Sequence, residues 1–214
     1  MAENVLIIQE ATKKFKNAVP LDKVSVSFEA GKIHGIIGRN GSGKTVLFKC
    51  ICGFMPLTSG LISVDGKQIG KEIDVPHDIG IIIEAPGFLP NYSGYGNLKL
   101  LSQIRRKIDD TQIRDTLKRV GLDPESKKWV SKYSLGMRQR LGIAQAIMED
   151  PSLLILDEPM NGLDNHGVED VRQLLLKLKE EGKTILIASH SSEDIAMLCD
   201  TVCEMDAGIL TAIR

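Results

Sequence analysis

The sequence predicts an α/β protein built on a parallel sheet, with an antiparallel β region near the N-terminus and a helical insertion. Three observations carry this. Continuously apolar runs at residues 79–83, 153–156 and 185–188 have the pattern of strands covered on both faces, as in a parallel sheet. Val24, Val26 and Phe28 instead alternate with serines, as in a half-exposed antiparallel strand. Helical stripes lie between the apolar runs: Ile113, Leu117 and Val120 form one, and Val168, Val171, Leu175 and Leu178 another.

In chain order, strands are expected at residues 5–8, 24–28, 33–37, 61–64, 79–83, 153–156, 184–188 and 201–205. The run at 33–37 enters a glycine-rich turn, and the apolar residues 46–52 leave it as a helix. The stretch from about Glu84 to Ser134 has few β-branched runs and several helical ones. It opens with a Pro/Gly-rich loop, Ala85-Pro86-Gly87-Phe88-Leu89-Pro90-Asn91-Tyr92-Ser93-Gly94, and reads as a helical insertion.

The 214 residues suffice for one sizeable α/β domain or at most two small ones. The expectation is a single domain, residues 1–214, with a helical subdomain at about 84–134. With 43% hydrophobic and 26% charged residues, a net charge of −1 and no basic block, no nucleic-acid partner is expected. No apolar run approaches the ~18–20 residues that span a bilayer. The start, MAENVLIIQEATKKF, carries an early acid and lacks a signal-peptide layout, so a cytoplasmic chain is expected. The cysteines pair closely in sequence, Cys50 with Cys52 and Cys199 with Cys203. Neither spacing is C-x-x-C and no histidine lies at zinc-finger distance, so they read as small reduced core residues.

The turn after residue 37 reads Gly38-Arg39-Asn40-Gly41-Ser42-Gly43-Lys44-Thr45, which fits G-x-x-x-x-G-K-[ST], the phosphate-binding loop. Its glycines let backbone N–H groups close around phosphate oxygens, and the following helix aims its positive dipole end at the anion. Lys44 brings a positive charge to the β- and γ-phosphates, and Thr45 offers a hydroxyl to Mg²⁺. Residues 38–46, through Val46, are therefore the expected nucleotide contacts, and the core is that of a P-loop NTPase. Two further strands end in chemistry, where ligands of a parallel sheet gather. Leu153-Leu154-Ile155-Leu156-Asp157-Glu158 places Asp157 to reach Mg²⁺ and Glu158 to polarise the attacking water. His190 follows the next buried strand, 33 residues after Asp157, and is expected to bond the γ-phosphate and orient the water.

The ordered set of motifs resembles the ATP-binding subunit of an ABC transporter over essentially the whole chain. It comprises the phosphate loop, the Glu84 loop, Tyr133-Ser134-Leu135-Gly136-Met137-Arg138-Gln139-Arg140, Asp157-Glu158, Gly162-Leu163-Asp164 and His190. The resemblance implies an ABC ATPase fold, with ATP as substrate and Mg²⁺ as its ion. Ser134 and Gly136 match the family signature and would bind the ATP of a partner chain. Leu135 stands where glycine is usual and Met137 where glutamine is. Phe15, 29 residues before Lys44, matches the aromatic that stacks on adenine. Asn161 to Asp164 resembles the loop linking the two sites of a head-to-tail dimer. Glu84 replaces the usual glutamine and remains able to ligate Mg²⁺ or its waters.

The implied partners are a second nucleotide-binding subunit, a copy or a close paralogue, and an integral membrane permease that would hold the chain on the inner face of the cell membrane. The Gly94 to Leu101 region is expected to meet the permease. The text from Ile83 to Pro90, with Tyr133 to Met137, resembles the bacitracin-resistance and lantibiotic-immunity exporter branch. A non-transport ABC ATPase acting on nucleic acid or ribosomes would carry coiled coils, zinc modules or basic extensions, which are absent from this sequence. A GTPase would show N-K-x-D, also absent.

Overall fold

The computed structural model of the chain describes residues 3–84 and 87–214, so Ala85 and Pro86 of the insertion's opening loop lie outside the described residues. β1 (Asn4–Phe15) and β2 (Ala18–Glu29) form a long antiparallel hairpin. β3 (Ile33–Ile37) leads into the phosphate loop and α1 (Lys44–Ile51). β4 (Ser59–Val64) and β5 (Lys67–Gln68) complete a four-stranded antiparallel sheet in the order β2-β1-β4-β5.

After β6 (Ile79–Ile82) come the insertion helices α2 (Gly94–Arg105) and α3 (Asp110–Arg119), then a 3₁₀ turn (Val130–Lys132). Then follow α4 (Leu135–Ile147), β7 (Leu153–Asp157), α5 (Asn165–Glu180), β8 (Thr184–Ala188), α6 (Ser192–Leu198), β9 (Thr201–Asp206) and β10 (Ile209–Ala212). The second sheet runs β10-β9-β3-β8-β7-β6, parallel except for the β9–β10 hairpin.

The parallel sheet separates two cores, and its apolar runs divide between them residue by residue. Leu153 and Ile155 of β7 and Leu186 of β8 pack with Phe28, Leu47 and Phe48 on the α1 and antiparallel-sheet side. Leu154, Leu156, Ile185 and Ile187 pack with Leu141, Leu175 and Leu178 on the helical side. Period-2 alternation across a sheet covered twice is what makes these runs continuously apolar. Each such side chain contributes roughly 1.5–3 kcal/mol on burial.

The run at residues 79–83 departs from that expectation. β6 is parallel but pairs only with β7, so it is an edge strand, and Ile79 and Ile81 are half-buried. It also ends at Ile82, one residue early. All four cysteines are free and buried, as expected. Burial pushes the Cys52 and Cys199 thiols up to about 12 and Cys50 to about 11.

Candidate active site

The helix starts show how the site is positioned. α2, α3, α4, α5 and α6 are each capped by a side chain, from Ser93, Asp109, Ser134, Asp164 and Ser191. α1 alone among the described α-helices has none; Gly43 stands at its cap with φ 121°. An uncapped helix start leaves backbone N–H groups and the positive dipole end for an outside anion. The loop glycines are demanded by close approach: a Cβ at Gly38 (φ +147°) would lie 2.2 Å from the Met205 carbonyl oxygen, and one at Gly43 2.2 Å from that of Pro20.

Lys44 is buried, and its Nζ donates to the Gly38 and Arg39 carbonyls at 2.6 and 3.1 Å. The charge is thereby folded back across its own loop, above the space a phosphate would fill. Ser42 Oγ is buried with no hydrogen-bond partner among the described residues. A buried hydroxyl left unpaired costs about 1–3 kcal/mol. A phosphate oxygen would satisfy it, so the loop fits a phosphate group such as those of a nucleoside triphosphate.

Thr45 Oγ1 donates to Asp157 Oδ2 at 2.8 Å, joining α1 to the end of β7. A hydroxyl and a carboxylate at that separation form a hard-oxygen pair suited to Mg²⁺, which takes few protein ligands and keeps phosphate oxygens and waters. Among the described residues no cluster of three or more His, Cys, Asp or Glu is placed to cage a metal by itself.

Glu158 takes φ +52° and Glu84 φ +63°, in the left-handed region that side chains avoid, so both cavity-facing acids sit on strained backbone. Glu158 N–H donates to the Ala188 carbonyl at 2.9 Å, and Gln139 Nε2 donates to the Glu158 and Pro159 carbonyls at 3.2 and 2.9 Å. Together these bonds hold the loop in place. His190 Nδ1 donates to Glu158 Oε2 at 2.8 Å, since a carboxylate can only accept. Glu84 accepts from Lys49 Nζ at 2.6 Å, so in this structure its carboxylate is paired with a lysine of α1.

A cavity of about 600 Å³ gathers much of the expected set: Asn40, Gly41, Gly43, Lys44, Thr45 and Val46 from the loop, with Glu84, Asp157 and Glu158. Its volume falls in the range of small-molecule sites. Gly38, Arg39 and Ser42 stand outside its lining, and His190 is tied to it through Glu158. Phe15 also lies outside the lining; it is 48% exposed, and so free to stack on a flat ring instead of filling the core.

Ser134 and Gly136 are not in the cavity lining either. Ser134 is exposed, its Oγ accepting from Met137 N–H at 3.2 Å as the cap of α4. Leu135 reaches the cavity wall and is 64% exposed. Arg140 anchors this helix, donating to the Val120 carbonyl and Asp170 Oδ2, both at 2.8 Å, and it holds the Asp170 carboxyl below the usual range.

Residues the sequence reading gave no role include Gln139, Lys49, Arg138 and Pro20. Gln139 and Arg138 fall within the signature stretch. Lys49 was discoverable as the residue one helical turn beyond Thr45.

A family profile described as ABC transporter matches residues 21–161. The chain is 48% identical to an uncharacterized ABC transporter ATP-binding protein, YybJ, of Bacillus subtilis (strain 168), over 93% of this chain and 91% of that one. It is 40% identical to the bacitracin transport ATP-binding protein BcrA of Enterococcus faecalis, over 97% of this chain and 68% of that one. Among solved structures it resembles the dimeric structure of MJ0796, a bacterial ABC transporter cassette. The TM-score is 0.87 and the identity 22%, over 98% of this chain and 99% of that one.

Proposed function

The chain belongs to the ABC transporter family as an ATP-binding subunit, and from that premise we propose that it serves the exporter branch, how its residues work and what they drive. The observation that carries the reading is the convergence of the phosphate loop, Asp157 and Glu158 on one cavity. Lys44 leaves its own loop carbonyls to bond the β- and γ-phosphates. Backbone N–H groups at the start of α1 and the Ser42 hydroxyl take further phosphate oxygens. Phe15 stacks on the adenine.

Thr45 and Asp157 would hold Mg²⁺, directly or through its waters, and Glu84, which lines the same cavity, would offer a further oxygen once released from Lys49. An ion held there would neutralise charge on the transferring phosphoryl group. Glu158 accepts a proton from the attacking water as the water oxygen bonds the γ-phosphorus and the bond from that phosphorus to the β–γ bridging oxygen breaks, with ADP as the leaving group and phosphate as the other product. His190, fixed by Glu158, orients that water and contacts the γ-phosphate.

The signature at the head of α4 serves the ATP of a second nucleotide-binding subunit, a copy of this chain or a close paralogue. ATP therefore closes the pair, and hydrolysis followed by product release opens it. Residues 1–214 act as one ABC ATPase domain, and the insertion at about 84–134 passes the movement to a membrane permease. No helix among the described residues is long and apolar enough to cross a membrane, so the pathway for cargo belongs to the permease. The chain would sit on the cytoplasmic face of that membrane protein. The cargo is an antibiotic peptide or a similar amphipathic compound, a reading supported by the likeness to a bacitracin transport protein.

The test is to sequence the reading frames beside its gene and to express the chain with any multi-helix membrane protein they encode in a bacitracin-sensitive host. Resistance to bacitracin or to lanthionine-containing peptides should rise with the native chain and not with Glu158→Gln. Unchanged sensitivity to both classes would refute the cargo.

A further inference from the structure

We propose that Arg172, Asp194 and Ser189 are positioning residues that hold His190 at the ATP site, and that they connect its loop to α5. The proposal rests on the assignment of His190 made above.

The His190 side chain is 75% exposed, and its bond to Glu158 is its hydrogen bond within the chain. Beside it lies an open cavity of about 520 Å³, bounded by Asn161, Arg172, Ser189 and His190 among others. Packing therefore cannot fix the ring. The loop on either side of it is fixed by hydrogen bonds. Ser189 Oγ accepts from Ser191 N–H at 3.1 Å, bracketing His190, and donates to Asp194 Oδ2 at 3.3 Å. Asp194 Oδ1 receives Arg172 Nε at 2.9 Å and Nη2 at 2.6 Å, while Arg172 Nη1 reaches Glu193 at 3.1 Å. Asp194 N–H closes the arrangement by donating to Ser191 Oγ at 3.2 Å.

Arg172, Ser189 and Asp194 are all buried, at 7%, 3% and 3% exposure. A buried ion pair gives little net stability, because desolvation offsets the Coulomb attraction, and an apolar replacement is often as stable. What such a pair supplies is a fixed direction. Here the direction runs from the middle of α5, through Asp194 and Ser189, to the residues flanking His190. α5 itself starts from Asp164, at the end of the loop from Asn161 that reads as the link between the two sites. A shift of that loop would thus be transmitted to the histidine by a short polar chain.

The test is a double-mutant cycle on purified protein, with kcat and KM for ATP and the thermal midpoint measured for each variant. Ser189→Ala removes the link and leaves the ion pair in place. It should lower kcat about fivefold with KM within about twofold, as loss of an interaction expressed in the transition state does. In a His190→Ala background the same substitution should cost nothing further, because the ring it positions is gone. Arg172→Lys keeps the charge and gives up the two-pronged contact with Asp194 Oδ1, and should repeat the pattern. Equal losses with and without His190, or an unchanged kcat in Ser189→Ala beside a deep loss in His190→Ala, would overturn the positioning role alone. An unchanged kcat in His190→Ala would overturn the assignment of His190 itself.

Discussion

At the carboxyl edge of the parallel sheet the functional side chains already have partners inside the chain, whereas at the head of α4 they face outward. Lys44 is held by loop carbonyls, Thr45 by Asp157, Glu158 by His190, and Glu84 by Lys49. Ser134 spends its oxygen on capping its own helix and is otherwise exposed, and Leu135 is 64% exposed. This contrast is what the proposed division of one chain into two half-sites would require. In the strand-end half Lys44 and Glu84 have to exchange their present partners for phosphate and ion. The signature half presents a helix start and has no ligand within reach of its own.

The comparison can be broken first at its strongest point. Lys44→Ala should reduce ATP binding and hydrolysis by about a hundredfold or more, since it deletes the charge that meets the β- and γ-phosphates. Equilibrium binding of a fluorescent ATP analogue and steady-state hydrolysis both read this. Wild-type turnover in that variant would remove the strand-end half from the account.

Glu158→Gln should stop turnover and keep ATP binding, because the amide preserves shape without accepting a proton. Light scattering after addition of ATP should then show twice the mass of the chain; a monomer with full activity would contradict both the base and the pairing. Ser134→Asp sharpens the contrast between the halves. Aspartate caps a helix as well as serine does, so the fold and single-chain ATP binding should stay near native. A carboxylate facing a partner's γ-phosphate should nevertheless slow turnover at least about tenfold, ~1.4 kcal/mol of barrier. Native turnover would mean that the head of α4 meets no phosphate.

Glu84→Gln is expected to have the smallest effect. The Glu84 carboxylate is 64% exposed, and exposed ion pairs contribute about 0–1 kcal/mol. Losing it eases repulsion with the triphosphate and also removes a charged Mg²⁺ ligand. Hydrolysis across a Mg²⁺ titration should therefore change by less than about tenfold. A loss as deep as that of Glu158→Gln would make Glu84 a catalytic carboxylate.

Much of this was legible in the sequence, for identifiable reasons. The expected bounds of β3 and β8 agree with the structure to the residue, because both strands are short and buried along nearly their whole length, His34 and Thr184 included. β1 and β2 run far beyond their expected apolar stretches, to twelve residues each, because one face of the hairpin is exposed and register shifts break the alternation. β5 and β10 were missed although each follows a tight turn: Asp65-Gly66 and Ala207-Gly208 all have positive φ, the conformation of two-residue hairpins. Most of the phosphate loop and the two strand-end acids line one cavity, because β3 and β7 belong to one parallel sheet and end at its same edge. The Lys49–Glu84 pair and the Arg172–Asp194–Ser189 chain were not legible, because their partners are 35, 22 and 5 residues apart and no local pattern joins them.

Under the proposed mechanism each ATP lies between the strand-end half of one chain and the α4 half of another. This claim is tested by mixing purified Lys44→Ala protein with purified Ser134→Asp protein. Each alone should hydrolyse ATP poorly. A mixed pair holds one site with native Lys44 from one chain and native Ser134 from the other, so turnover should recover to a substantial fraction of the native rate. A mixture no more active than its two components would contradict the claim.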